Sequence, residues 1–128
     1  MLSSIPLDWY ARRFVETHVN YFVFNPLPVP RPPTGSPLRK RVCAIAARLA
    51  VGADRRFAAW GAAIGVAPSS LPVDERQSLI HELDAVVARL YGLTEAELRH
   101  VFETFHEGWD YEEQLRSTLV HFNKLADA

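Results

Sequence analysis

The proline-rich stretch at residues 25–37 is the feature that most limits how this chain can fold. It holds most of the nine prolines in a chain of 128 residues. Because proline lacks a backbone N–H and has a fixed φ, the stretch cannot form regular helix and favours an extended, polyproline-like path. We therefore predict that the prolines end a connecting arm, residues 1–35, and that a folded domain, residues 36–128, follows.

The part of the chain after the prolines carries a helical pattern from Ser36 onward. Ser36 followed by Pro37 is typical of a helix start, and the apolar residues behind it recur every three or four positions. Thr94 and Glu97 fit a capping box at the start of a later helix. Further start and stop signals are Gly92 and Asp110. With 48% hydrophobic residues and the length of one domain, the chain is predicted to be mostly α, a small helical bundle.

A shorter helix is predicted between Asp54, which can cap its start, and Gly65, which can end it. Its apolar residues recur at helical spacing and share one side. They are Phe57, Trp60 and Ile64. A loop over residues 66–72 is expected to lead from this helix to the next one.

The part of the arm that precedes the prolines is rich in aromatic residues. Ser4 can cap a helix over residues 4–19, and residues 20–24 combine aromatic and β-branched side chains, which favours a short strand. The predicted order is thus helix, short strand, proline-rich arm and helical bundle. Six aromatic residues form a candidate interface: Trp9, Tyr10, Phe14, Tyr21, Phe22 and Phe24. Left uncovered, they favour a homodimer through the arm; the alternative is an arm folded back onto its own helices.

Charge is distributed unevenly along the chain, although the net charge is only −1. Residues 1–64 carry nine Lys and Arg against three Asp and Glu, a balance of +6; residues 65–128 carry five against twelve, a balance of −7. A one-sided basic segment can contact the phosphates of duplex DNA without reading its bases. The candidate residues for such contacts are Arg31, Arg39, Lys40, Arg41 and Arg48. The same segment can equally complement the acidic half of the chain or another domain.

Catalysis is not supported by any group of residues in the sequence. Asn25-Pro26 is similar to the start of the catalytic loop of DNA adenine methyltransferases. However, Leu27 and Pro28 stand where that loop has a second proline and an aromatic residue, so the group that stacks on a flipped base is missing. The sequence also lacks a glycine-rich cofactor turn, and His81 lacks the second histidine of a zinc-protease helix. His100, Glu103 and Glu107 could share one helix face as metal ligands, but we interpret them as a solvated polar face. Cys43 borders an apolar stripe and is expected in the core.

These observations predict that the chain alone has no catalytic residue, no metal and no cofactor. We accordingly expect no methyl transfer from S-adenosylmethionine to duplex DNA by the isolated chain. No apolar run approaches the roughly 20 residues that a membrane span requires, and the N-terminus lacks a signal-peptide pattern. A cytoplasmic protein without a membrane partner is the expectation.

Several stretches carry a resemblance to a known family. Its distinctive part is Thr-His-Val-Asn-Tyr-Phe at residues 17–22 with Leu-Pro-Val-Pro at residues 27–30, and residues 82–98 add a weaker similarity. The chain resembles, over roughly residues 2–125, the closing section of large type IIG-like N6-adenine DNA methyltransferases. These belong to restriction-modification systems, some of which act in phage defence.

The resemblance implies a C-terminal region that follows the catalytic and target-recognition parts of such a protein. Its partner is then the remainder of the methyltransferase, and residues 20–33 are a crossover from the target-recognition region to the helical tail. The expected function is that of a non-catalytic accessory part, structural and in contact with the DNA backbone at the basic segment. The alternative is a free-standing helical module for protein interaction, without a nucleic-acid role.

Overall fold

The computed structural model describes residues 1–15, 17–67 and 69–125 of the chain. Glu16 in the predicted first helix, Pro68 in the predicted loop and residues 126–128 of the predicted bundle lie outside the described residues. Seven α-helices and one 3-10 turn account for the regular structure of the described part, and none of it is strand. The prediction of a mostly α fold, a small helical bundle, is confirmed.

The helices follow one another along the chain with short connections, except for the long proline-rich one. In chain order they are α1 (Ile5–Ala11), α2 (Tyr21–Phe24), α3 (Pro37–Ala53), the 3-10 turn (Arg55–Phe57), α4 (Ala58–Ala63), α5 (Val73–Leu90), α6 (Glu95–Glu103) and α7 (Glu112–Lys124). None of the helices in the described ranges is both long and apolar enough to cross a membrane.

Several helix boundaries follow the capping signals in the sequence, although the Ser4 side chain makes no capping hydrogen bond at the start of α1. The Ser36 side chain accepts a hydrogen bond from the Arg39 N–H at the start of α3. Thr94 and Glu97 form the complete capping box of α6. Gly65 and Gly92, which follow α4 and α5, both have positive φ, the conformation in which glycine ends helices. Asp110 is not a cap, because Tyr111 directly precedes α7 and its side chain makes no capping hydrogen bond.

Helix α5 is the central element, since it packs along α3 on one side and along α7 on the other. Two clusters of buried apolar residues line these contacts. The larger consists of Ala85, Ala88, Leu98, Phe102, Leu115, Leu119 and Phe122. The smaller consists of Ile45, Leu83, Val86 and Val87. Helix α4 packs on α3, and α1 packs on α5 and α6.

The arm differs from its predicted structure in two respects. The first helix ends at Ala11 rather than at residue 19. The predicted strand at residues 20–24 is wrong, because residues Tyr21–Phe24 form one helical turn, α2. The physical reason is local: the Asn20 side chain accepts hydrogen bonds from two backbone N–H groups of that turn, while no neighbouring strand lies in the described part to pair with it.

Cys43 also differs from its predicted environment, because its side chain is exposed on α3 instead of lying in the core. The buried residues of α3 are Ile45, Ala47 and Val51. Ile45 packs against α5, and Val51 lies against Gly61 of α4. Proximity to an apolar stripe in the sequence therefore did not place the thiol inside it.

Candidate interaction surfaces

The exposed large apolar side chains of the described residues include two groups that lie close together in the sequence. The first, here called the arm surface, consists of Val19, Tyr21, Phe22 and Phe24. The second, here called the α4 stripe, consists of Phe57, Trp60 and Ile64. Single exposed apolar residues are ordinary in folded proteins, but groups of them mark places where another surface packs.

The α4 stripe is held on a rigid support. Asp54 caps the 3-10 turn before α4 by accepting a hydrogen bond from the Arg56 N–H at 2.8 Å. Gly61 is buried, and a Cβ atom there would lie 2.5 Å from the Val51 Cγ2 atom, so only glycine lets α4 approach α3 this closely. The stripe residues themselves are 45–48% exposed. The single helix predicted between Asp54 and Gly65 is divided in the structure, because Phe57 ends the 3-10 turn, Trp60 lies in α4, and Ile64 directly follows α4.

The stripe begins with a pair of aromatic rings in contact. The Phe57 and Trp60 rings meet edge to face, with 6.3 Å between centroids and an interplanar angle of 71°. This geometry is favourable for aromatic rings and fixes their relative orientation on the surface. Ile64 follows one turn later, so the three side chains occupy positions i, i+3 and i+7.

The six aromatic residues predicted as an interface are divided by the structure. Trp9 is half-buried on α1, where its indole N–H donates a hydrogen bond to the Thr104 hydroxyl at 2.9 Å. Tyr10 and Phe14 are exposed and in mutual contact, with 5.1 Å between ring centroids. The other three belong to the arm surface: Tyr21, Phe22 and Phe24. Helix α1 thus folds back onto the bundle, while the turn after it stays uncovered.

The attachment of α1 depends on a buried carboxylate that the sequence did not single out. Asp84 on α5 is 2% exposed and accepts a hydrogen bond from the Ile5 N–H, the first residue of α1, at 2.8 Å. Burial raises the pKa of the Asp84 carboxyl to about 7, although hydrogen bonds from Ile5 and Gln114 and the nearby Met1 amino group act in the opposite direction. A lone aspartate in a helical pattern gives no signal of a partner 79 positions away.

The five candidate DNA-contacting residues are not equally available. Arg41 donates two hydrogen bonds to Glu82, one of them at 2.8 Å, and this contact raises the pKa of its guanidinium. Arg48 donates from Nε to the Glu75 carboxylate at 3.1 Å. Both carboxylates belong to α5, so these pairs join α3 to α5. They are part of the charge complementarity between the two halves of the chain.

The other three candidate residues are exposed, as Arg41 is, but they differ from it in their partners. Arg39 donates a hydrogen bond to the Pro32 carbonyl oxygen at 3.1 Å, which ties the proline-rich stretch to α3. Arg31, Arg39 and Lys40 form no ion pair within the described ranges 1–15, 17–67 and 69–125. The positive charge of the basic segment is therefore unpaired at its N-terminal end, whereas carboxylates of α5 neutralise it at Arg41 and Arg48.

A polar groove between α5 and α7 brings together residues that the sequence did not connect. The Ser78 hydroxyl lies 3.3 Å from His121 Nε2, and His81 lines the same groove. Burial lowers the pKa of both imidazoles, so they are mainly neutral at pH 7. In the part of the chain that the structure describes, no three His, Cys, Asp or Glu side chains are arranged to hold a metal ion.

Asn25 and Pro26, the pair similar to a methyltransferase loop, are exposed where α2 ends. Asn25 occupies the position directly after the helical turn, and its backbone N–H donates to the Tyr21 carbonyl oxygen at 2.9 Å. Its role in this structure is therefore that of a helix end.

Comparison with protein-family models, curated proteins and solved structures gives no match for this chain.

Proposed function

We propose that this chain is a non-catalytic accessory domain that docks onto a larger protein through the α4 stripe. The supporting observation is the stripe itself, three large apolar side chains at positions i, i+3 and i+7 that are about half exposed. Helices that bind in a groove of a partner present their anchors at this spacing. Trp is also among the residues that contribute most to binding at protein interfaces, and Phe is enriched there.

Rigidity of the support favours a docking role. The close contact of Gly61 with Val51 and the Asp54 cap fix α4 on α3 before any partner arrives. A preorganised surface loses less conformational entropy on binding than a mobile one. The stripe is thus suited to stable association with one partner surface.

The partner that we propose is the remainder of a restriction-modification N6-adenine DNA methyltransferase. This part of the proposal rests on the similarity of residues 17–22 and 27–30 to the closing section of such proteins. The catalytic loop and the cofactor turn would then belong to that partner, because this chain lacks both motifs. The alternative is a free-standing interaction module, which would use the same stripe for a partner unrelated to DNA modification.

Replacing Phe57 and Trp60 together by serine is expected to abolish stable association with the methyltransferase partner. The variant removes the aromatic pair that would fill the partner's groove, and such anchors each contribute on the order of 2 kcal/mol or more. The measurement is co-purification of the tagged chain with the product of a neighbouring reading frame that carries a glycine-rich cofactor motif and an Asn-Pro-Pro-aromatic loop.

The matched control is Tyr21→Ser with Phe22→Ser, which removes two exposed aromatic residues from the arm surface instead. It is expected to co-purify like the unchanged chain. Equal recovery of the partner with all three chains would rule out docking through the stripe. If the unchanged chain does not associate with any such methyltransferase product, the restriction-modification role is wrong and the free-standing module is favoured.

Contact with the DNA backbone is a further part of the proposed function, and we assign it to the unpaired end of the basic segment. Replacing Arg39 and Lys40 by alanine is expected to weaken binding to duplexes of unrelated sequence at low salt. The slope of log K for association against log salt is negative, and its magnitude should decrease by about 2, since each lost phosphate contact changes it by about 1. Fluorescence anisotropy of a labelled duplex at several salt concentrations provides the measurement.

The control for this experiment is Arg48→Ala combined with Glu75→Ala, which removes one ion pair without changing the net charge. It should leave both the affinity and the salt slope close to those of the unchanged chain. If the Arg39/Lys40 variant binds like the unchanged chain, or if none of the chains binds, these residues do not contact DNA. The basic segment would then serve only its contacts with α5 and the proline-rich stretch.

A further inference from the structure

We propose that α1 exchanges between two copies of this chain, so that in a dimer each α1 occupies the site on α5 and α6 of its partner. The inference does not use the α4 stripe and is independent of the docking role proposed for it. It follows from three features: the site that holds α1, the connection that attaches α1 to the bundle, and the uncharged apolar turn within that connection.

The site that holds α1 is built from residues distant in the sequence. Ile5 donates its N–H to Asp84, and Trp9 donates its indole N–H to Thr104, across separations of 79 and 95 positions. Leu7 between them is 1% exposed. A helix of seven residues is not stable alone in water, so α1 exists because this site holds it. The same contacts form whichever copy supplies the helix.

The connection from α1 to α3 permits both arrangements. It runs over residues 12–36 and, at about 3.3 Å per residue when extended, can span tens of ångströms. Its second half holds five prolines between residues 26 and 33, which keep it extended and resist compaction. The ends of such a connection can therefore lie on one bundle or on two neighbouring ones. Intramolecular closure is favoured by effective concentration, so a dimer needs an additional contact.

That additional contact is available at the arm surface. Tyr21 is 80% exposed and Phe22 is 90% exposed. They are held on a defined turn, since the Asn20 side chain accepts hydrogen bonds from the N–H groups of Phe22 and Val23 at 3.0 and 3.1 Å. Two arms that cross between exchanged copies would place these surfaces against each other around a two-fold axis, where one patch meets its own copy.

The charge of the arm selects a second copy over a polyanion or a charged protein surface. From Thr17 to Pro30 the chain contains no Asp, Glu, Lys or Arg, and His18 is the only titratable side chain besides Tyr21. Two copies of this segment therefore approach without repulsion between like charges. The centre of a protein interface is likewise poor in charged residues and rich in Tyr and Phe. DNA or an anionic lipid surface would find no cation here.

The first experiment measures the association state of the full chain by sedimentation velocity over a wide concentration range. We expect a dimer whose dissociation constant rises at least tenfold in the Tyr21→Ser/Phe22→Ser variant. Phe57→Ser/Trp60→Ser serves as the matched control, because it removes two exposed aromatic residues elsewhere and should leave the dimer unchanged. Circular dichroism verifies that both variants keep the helical fold. A monomer at all concentrations would overturn the proposal.

The second experiment distinguishes exchange from simple contact between closed chains. Trp9 is replaced by the photo-crosslinking amino acid p-benzoylphenylalanine, whose ketone would lie near Thr104. In an exchanged dimer, irradiation links two chains, and the product has about twice the 14.5 kDa mass of one chain. In a dimer of closed chains, the link joins positions within one chain and the mass stays that of the monomer. The latter result, with a dimer present, would overturn the exchange of α1.

Discussion

Substitution of Phe102 by alanine is expected to lower the free energy of unfolding by about 3–5 kcal/mol, the range for deleting a buried phenylalanine ring. Phe102 on α6 is fully buried and belongs to the larger core cluster. Its ring also stacks on Trp109, with 5.9 Å between centroids and an interplanar angle of 19°. The substitution therefore removes apolar contacts to α5, α6 and α7 at once and leaves a cavity where these helices meet.

Urea unfolding followed by tryptophan fluorescence measures this loss, with Phe57→Ala as the control. Phe57 is about half exposed, so its replacement should cost about 1 kcal/mol or less. If Phe102→Ala does not fold, Phe102→Leu provides the comparison, since it keeps most of the volume and should cost about 1–2 kcal/mol. Equal effects of the substitutions at positions 102 and 57 would contradict the burial of Phe102 in the larger core cluster.

Helix ends with a complete cap are the part of this fold that the sequence predicts best, because a cap involves groups only a few residues apart. The Thr94–Glu97 capping box and the cap at Ser36 are both present in the structure. Gly65 and Gly92 end their helices for an equally local reason, the positive φ that glycine adopts without steric cost. The mostly helical fold class follows from these signals.

Relations between distant residues could not be predicted in the same way. Periodicity shows that Phe57, Trp60 and Ile64 share a side, but not that this side faces solvent. Whether a side is covered depends on the neighbouring helix, and Gly61 determines that contact through its missing Cβ. The pairing of Asp84 with Ile5 is likewise invisible, since 79 positions separate the two residues.

The strand predicted at residues 20–24 shows where propensity is insufficient. Aromatic and β-branched residues favour strands only where a neighbouring strand or a packed surface receives them. No such strand is present in the described residues, and the Asn20 cap stabilises a helical turn instead. The charge asymmetry alone does not distinguish a DNA-facing surface from contacts within the chain. The Arg41–Glu82 and Arg48–Glu75 pairs supply an internal partner for part of it.

The largest pH effect is expected from Asp84. Its folded-state pKa of about 7 lies above the ordinary value of 3.8. Below about pH 4 the carboxyl is protonated in both states, and the stability is fully present. As the pH rises to about 7, the unfolded chain has released the proton while the folded chain still holds it, so stability is lost. At 1.36 kcal/mol per pH unit, this loss reaches about 4 kcal/mol as an upper limit.

Asp84→Asn isolates this effect, because the amide stays neutral and keeps an oxygen that can accept from the Ile5 N–H. Urea unfolding at pH 5 and pH 8 should show the unchanged chain losing stability at the higher pH relative to the variant. His81 and His121 act in the opposite direction, since a lowered pKa makes stability fall with decreasing pH, but they are common to both chains and cancel in the comparison. Asp84→Ala is the matched variant without an acceptor and should be less stable than Asp84→Asn at both pH values, because it leaves a buried N–H unpaired. Parallel pH profiles for the unchanged chain and Asp84→Asn would show that the carboxyl at the α1 site titrates alike in the folded and unfolded states.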